Sequence, residues 1–225
     1  MFGFNNKKQK TDIAIIGLGS FGRNILHNFI NEGVDVTIID KNIEIINQHA
    51  SICDNAYCVD STQADALRKV GIHNFDCVIV SIGQDLNASI LTTLILKEFE
   101  IDKIIVKASD ENHGKILNKI GADQIVYPDK EMGKRISMQV MYSSMQELVE
   151  LNEVQVMAQL IVTSSEFINK SLESLNITNN YNVMISAIRR ENEVIIPAAS
   201  EFLLKDDLLI VIGEIDKVDA LTKVI

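Results

Sequence analysis

The chain has 225 residues, 47% of them apolar and only two of them proline, which is enough material for one large core or two smaller ones. Its 31 acidic against 21 basic residues leave a formal charge of −10, a balance that repels phosphate backbones and anionic membrane faces and argues against nucleic acid as a partner. No segment reaches the roughly 18 uninterrupted apolar residues of a bilayer-crossing helix, because Asp, Lys or Asn cuts each one, so no direct membrane insertion is expected.

Residues 1–11, basic after Phe2 and Phe4 and without an apolar h-region, read as a flexible N-terminal tail rather than a signal peptide. From residue 12 to about 127, short Ile- and Val-rich runs (13–16, 34–39, 56–59, 77–82, 103–106 and 124–127) alternate with stretches of helical length. A repeated β-α unit of this kind predicts an α/β fold, a Rossmann-like doubly wound parallel sheet over 12–128 with helices on both faces. The helix beginning near Leu86 is expected to turn Ile90, Leu91, Leu94 and Ile95 inward, with Asp85 and Asn87 at its start and Lys97 near its end. After Tyr127-Pro128 the texture changes. Residues 129–150 read as one long crossover and dimerisation helix, in which Met138, Met141, Met145 and Leu148 recur at intervals of three and four as an adaptable apolar face. From 151 to 225 short strands with turns (154–162, 183–188, 194–196 and 208–212), a hairpin around Arg189–Asn192 and a last helix at 216–224 predict a small α+β domain. Cys53, Cys58 and Cys77 are odd in number and lack Cys-x-x-Cys spacing, so they are expected to be reduced, mostly buried thiols.

Directly after the first predicted strand stands Gly17-Leu18-Gly19-Ser20-Phe21-Gly22, followed by the helical pattern Ile25, Leu26, Phe29, Ile30. In a strand–turn–helix context the first glycine permits the tight turn, the second lets a pyrophosphate approach the backbone, and the third lets the helix pack on the strand. Asp40, at the end of the second predicted strand, is placed to accept hydrogen bonds from the two ribose hydroxyls of an adenine nucleotide; a 2′-phosphate would meet its charge, which disfavours NADP. Asp60-Ser61-Thr62, Ser81-Ile82-Gly83 and Lys107 end later strands at the same edge, and Lys107 is suited to balance phosphate charge. Catalytic equipment is what the pattern lacks. None of the histidines, His27, His49, His73 and His113, falls in the second domain, and no tyrosine is followed by Lys at the fourth position. A nucleotide crevice without an acid or base reads as a sensor; the alternative is a small NAD-dependent oxidoreductase using His113 or Lys107.

The runs Ile15–Gly22, Asp76–Gly83, Ala88–Glu98, Ile120–Asp123 with Pro128–Gly133, and Asp207–Gly213 together resemble the RCK-type regulatory subunits of bacterial Ktr potassium uptake systems, the KtrA/KtrC family, which are similar to TrkA. The resemblance implies a non-enzymatic, cytoplasmic protein, peripheral to the inner face of the cell membrane, whose homodimers assemble into an octameric ring that gates a separate potassium-translocating Ktr subunit. It implies ATP or ADP, or in relatives NAD or NADH, in the crevice: Gly17, Gly19, Ser20, Phe21 and Gly22 at the phosphates, Asp40 and Lys41 at the ribose, Asp60 and Ser61 near the adenine side, Ile82 and Gly83 beneath, and Lys107 toward the phosphates. It further implies cyclic di-AMP between paired C-terminal domains at Asn176, Ile177, Thr178 and Asn179, and a divalent cation at Asp129. This chain departs from the family pattern at Ser20, where relatives carry an arginine, at Asp129, where they carry glutamate, and in the Asn176 segment, where an arginine is replaced.

Overall fold

The computed structural model describes residues 11–53, 55–141 and 145–225; apart from Thr11, the expected N-terminal tail lies outside them. The chain divides into two compact units, one ending at Asp129 and one beginning at Lys130.

In the first unit, strands β1 (Ile13–Ile16), β2 (Val36–Asp40), β3 (Asn55–Cys58), β4 (Cys77–Val80), β5 (Lys103–Lys107) and β6 (Gln124–Val126) form one sheet in the order β3-β2-β1-β4-β5-β6. Every pairing is parallel, with Ile13 opposite both Val36 and Cys77. The inner strands read as continuous apolar runs because both faces are covered. Alternation along β1 sends Ala14 and Ile16 to one side and Ile15 to the other. The first side packs under α3 (Ala64–Val70), α4 (Leu86–Glu98) and α5 (Glu111–Ile120) through Leu67, Leu96 and Leu117. The second packs under α1 (Ser20–Asn31) and α2 (Ile43–His49) through Leu26 and Ile46. Each fully buried Leu of this kind costs about 2–5 kcal/mol when cut to Ala.

The expected inward stripe of α4 holds for Ile90 and Ile95, which pack in the first core, and is corrected for Leu91 and Leu94. Leu91 and Leu94 are 43% and 41% exposed, whereas Ser89, Thr92 and Thr93 are buried beside Ile95 and Leu96. Small hydroxyl residues make this interface, and their polarity hides the face from an apolar count. Thr93 donates to the Ser89 carbonyl at 2.7 Å, which satisfies its hydroxyl within the helix.

Helix α6 (Pro128–Met141) opens on proline, whose missing N–H costs nothing at a first helical turn. It does not run on to residue 150. Residues Met145–Glu150 form strand β7 of the second unit, and Met145 is buried in that unit's core. Met141, 64% exposed, is the helical end of the expected stripe; the side chain of Met138 lies outside the described set. Helical spacing across this segment was overridden by antiparallel pairing of β7 with β8 (Gln155–Ile161), Leu148 opposite Ala158. With β9 (Val183–Arg190), β10 (Glu193–Ile195) and β11 (Leu208–Glu214) they make an antiparallel sheet in the order β10-β9-β11-β8-β7. The Arg189–Asn192 hairpin is the β9–β10 connection, with Glu191 at φ 54° in the turn. Helices α7 (Leu172–Leu175), α8 (Ile177–Tyr181) and α9 (Ile215–Thr222) accompany it, over a core that includes Ala158, Leu160, Val183, Leu209 and Leu221. One charged group enters that core. Asp207, 1% exposed, takes both Arg190 Nε and a terminal guanidinium nitrogen at 2.9 Å and also accepts from the Leu204 N–H at 2.8 Å. Its hydrogen bonds push the Arg190 guanidinium pKa still higher than usual. Among the described residues no helix is long and apolar enough to cross a membrane.

Candidate nucleotide site

The strand order reverses between β1 and β4, and a crevice of about 530 Å³ opens at their carboxyl ends, where ligands of such sheets bind. Its floor is the glycine turn. Gly17 sits at φ 90°, a left-handed conformation that disfavours a side chain, and its N–H donates to the Ile39 carbonyl at 2.8 Å, joining the turn to β2. A Cβ at Gly22 would run into the Gly17 carbonyl oxygen and lie 3.0 Å from Ser81 Oγ, so this glycine sets how closely α1 packs on the strands. At Gly19, which lines the crevice, a Cβ would meet nothing within 4 Å. The N-terminus of α1 carries no side-chain cap and no acid in its first turn. Its N–H groups and positive dipole end therefore suit an anionic group.

Asp40 is held by bonds from the backbone around it. Its carboxylate accepts from the Leu18 N–H at 2.7 Å and the Asn42 N–H at 2.8 Å, bracing the glycine turn against the end of β2. Each oxygen keeps a further lone pair for a ribose hydroxyl. Asp60 accepts from the backbone N–H and hydroxyl of Thr62 at 2.9 and 2.7 Å, and these bonds, the backbone one first, hold its pKa below the ordinary carboxylate value. Ser61 lines the crevice, but its hydroxyl is bonded to Thr92 Oγ1 at 2.8 Å. Lys107 reaches in from the end of β5, its side chain 14% exposed, with Nζ 3.1 Å from Asp129 and 5.8 Å from the centre of the Phe21 ring. Lys41, exposed at the rim, stands 3.9 Å from Asp85, the cap of α4.

Every nucleotide-site residue expected from the sequence lines this crevice except Gly22, which lies behind it, and Asp129 lines it too. Gln84, Asp85, Ala88 and Ser109 line it without having been expected. They stand in the loops and helix starts after β4 and β5, so following each strand into its loop would have found them. The Thr92 partner of Ser61, 31 residues away, left no local signal.

His113 is corrected. Rather than an exposed group at a helix start, it is 2% exposed and outside the crevice lining, with Nδ1 3.2 Å from Ser109 Oγ. Burial pushes its pKa down. Among the described residues no His, Cys or Tyr lines the crevice, and no cluster of three or more His, Cys, Asp or Glu residues is arranged to hold a metal ion. The cysteines are less buried than expected: Cys58 is exposed, and Cys53 and Cys77 are half-buried, none of them in a disulfide. In the second unit Asn176, Thr178 and Asn179 are exposed around α8, whereas the Ile177 side chain is 3% exposed and packed in the core.

The fold and crevice define a two-part class of protein, a Rossmann-like parallel sheet with a glycine turn at its switch point followed by a small antiparallel domain. Residues 13–128 match the TrkA-N domain and residues 157–225 the TrkA-C domain. The chain is 41% identical over 215 residues to the Ktr system potassium uptake protein C of Bacillus subtilis, covering 95% of this chain and 97% of that one. It is 36% identical over 201 residues to the Ktr system potassium uptake protein A of the same organism, covering 89% and 90%. It belongs to this family of Ktr potassium uptake proteins built from TrkA-N and TrkA-C domains. The crystal structure of the GsuK RCK domain superposes with a TM-score of 0.68 at 17% identity, over 98% of this chain and 48% of that one. The GsuK channel bound to NAD superposes with a TM-score of 0.67 at 16% identity, over 96% of this chain and 39% of that one. The chain thus spans about half or less of these solved chains, and at such identity the likeness is one of fold.

Proposed function

We propose that the chain is a non-enzymatic regulatory subunit that senses an adenine nucleotide, ATP, ADP or NAD/NADH, and controls potassium flux through a separate membrane subunit. One observation carries the reading. The uncapped N-terminus of α1, the open backbone at Gly19 and the braced carboxylate of Asp40 converge on a crevice that, among the described residues, is lined by no His, Cys or Tyr. The phosphates would lie on the glycine turn beside Lys107 and the ribose against Asp40, so the chain binds and orients the nucleotide and performs no bond-making. The names of its relatives and an NAD-bound channel of the same fold support the reading.

In the same proposal the chain is cytoplasmic and peripheral to the membrane through its partner, and homodimers assemble into an octameric ring, with α6 as a dimerisation element. A ligand shifts such a ring only by its difference in affinity between two shapes, and several sites let small differences add. Cyclic di-AMP is a candidate second ligand at the exposed Asn176, Thr178 and Asn179, with Ile177 as buried support. A divalent cation at Asp129 would need ligand or neighbouring-subunit oxygens to complete its shell. The test is calorimetric titration of the purified chain with ATP, ADP and NADH, with light scattering for assembly. Saturable binding of at least one nucleotide is expected, and binding of none overturns the reading.

A further inference from the structure

Two imidazoles meet on the side of the first unit that carries α1 and α2, outside the crevice lining. His27 of α1 and His49 of α2 have ring centres 6.0 Å apart and planes inclined at 52°. Their surroundings differ. His49 is 8% exposed, and its Nδ1 lies 2.9 Å from the Ile45 carbonyl oxygen. A carbonyl only accepts, so Nδ1 carries the ring proton and Nε2 of the neutral ring keeps its lone pair. That nitrogen reaches solvent and has no hydrogen-bond partner among the described residues. His27 is exposed and likewise makes no hydrogen bond among them, so its ring can turn about its side-chain bonds. A backbone carbonyl that fixes one ring nitrogen and leaves the other bare is the arrangement that orients histidines toward metals. A metal stands about 2.0–2.1 Å from an imidazole nitrogen, and that nitrogen about 1.1 Å from its ring centre, so two rings on one ion have centres up to about 6.4 Å apart. The observed 6.0 Å falls inside that reach.

We propose that His27 and His49 form a surface site for a borderline divalent cation such as Ni²⁺, Cu²⁺ or Zn²⁺, bridging α1 and α2 on one side of the parallel sheet. Imidazole suits these ions, whereas Mg²⁺ and Ca²⁺ take oxygen ligands. The protein supplies two ligands, since no cluster of three or more His, Cys, Asp or Glu is arranged to hold a metal among the described residues, and water fills the remaining positions. Such an open site exchanges its ion readily. The bound ion ties α1 to α2, whose Leu26 and Ile46 already share one core cluster. It favours the folded form, because the unfolded chain does not hold the two rings together. The site is separate from Asp129 and stands whether or not a nucleotide binds.

The test is calorimetric titration of the purified chain, carrying no histidine tag, with Ni²⁺, repeated on His27→Gln, His49→Gln and the double variant. Wild type is expected to take up Ni²⁺ saturably. Removing either ring should weaken binding about tenfold or more, and the double variant should lose little beyond the single ones, because one remaining imidazole no longer chelates. His49 is buried and His27 exposed, so His27→Gln leaves the fold intact and decides the matter of ligation. At Ni²⁺ about a hundred times Kd the melting temperature should rise by about 5–10 °C in wild type and by less than about 2 °C in His27→Gln. A roughly tenfold excess of Mg²⁺ should leave Ni²⁺ in place. Absence of saturable Ni²⁺ binding in wild type, wild-type affinity in His27→Gln, or displacement of Ni²⁺ by Mg²⁺ would each overturn the inference. So would a sulfur-to-metal charge-transfer band with Co²⁺, which would put a thiolate in the site.

Discussion

Replacing Asp40 tests two jobs of one carboxylate, the observed brace of the glycine turn and the proposed ribose contact. The half-buried bond from the Leu18 N–H at 2.7 Å is a charge-assisted contact worth about 1.5–3 kcal/mol, and the exposed one from Asn42 at 2.8 Å about 0.5–1 kcal/mol. Asp40→Ala removes both, so the ligand-free protein should lose about 2–4 kcal/mol, or about 8–16 °C in melting temperature at roughly 4 °C per kcal/mol for a unit of this size. Asp40→Asn keeps one acceptor of the same shape and turns its amide toward the other N–H. Its loss should be about 1–2 kcal/mol, while adenine nucleotide affinity falls about tenfold because the ribose hydroxyls lose a charged acceptor. The assay is thermal unfolding of the ligand-free variants, followed by nucleotide titration of Asp40→Asn well below its transition. A ligand-free Asp40→Ala melting within about 2 °C of wild type refutes the bracing role. Wild-type affinity in Asp40→Asn refutes the ribose role.

Substitutions at the second and third glycines of the turn should behave differently. Gly22→Ala drives a methyl into the Gly17 carbonyl and is expected to cost about 2–4 kcal/mol in urea unfolding, because backbone must move. Gly19→Ala meets nothing within 4 Å; it should leave unfolding unchanged and weaken nucleotide binding by tenfold or so through a methyl in the ligand's space, and equal stability losses for both would contradict the geometry. In the second unit, Arg190→Ala strands the buried Asp207 carboxylate with the Leu204 N–H as its remaining side-chain bond, and unfolding should be eased by about 2–4 kcal/mol, below the fully buried case because the guanidinium is 28% exposed. His113 has its folded pKa pushed below the ordinary 6.5 by burial, so the unfolded chain takes up the proton first as pH falls. Stability from this group is complete above about pH 6.5 and declines below it, and the urea midpoint of wild type should drop between pH 7 and pH 5.5 more than that of His113→Asn. Parallel pH profiles for the two would show that the buried ring does not contribute.

The β-α alternation was legible because inner parallel strands are apolar on both faces and the turn after β1 must contain glycine: Gly17 needs its φ of 90°, and Gly22 has no room for a Cβ. Both are backbone constraints that act within a few residues, so the chain order displays them directly. The crevice was legible for the same reason, since its parts stand at strand ends. Three features were not. The inward face of α4 includes Ser89, Thr92 and Thr93 beside Ile95 and Leu96, and Ser61 and the helix backbone satisfy two of the three hydroxyls. Residues 145–150 carry a helical spacing yet pair with β8, where Met145 and Leu148 join the apolar core of the second unit, a packing the local spacing does not display. The ion pair of Lys107 with Asp129, and the brace from Asp40 to Leu18, join residues 22 apart in each case. What local chain chemistry determined was the order of elements and the kind of ligand edge. Which carboxylate braces the turn, which lysine is already neutralised and which hydroxyls are buried were decided only when folding brought distant residues within hydrogen-bond range, because charge and polarity are settled by neighbours in space.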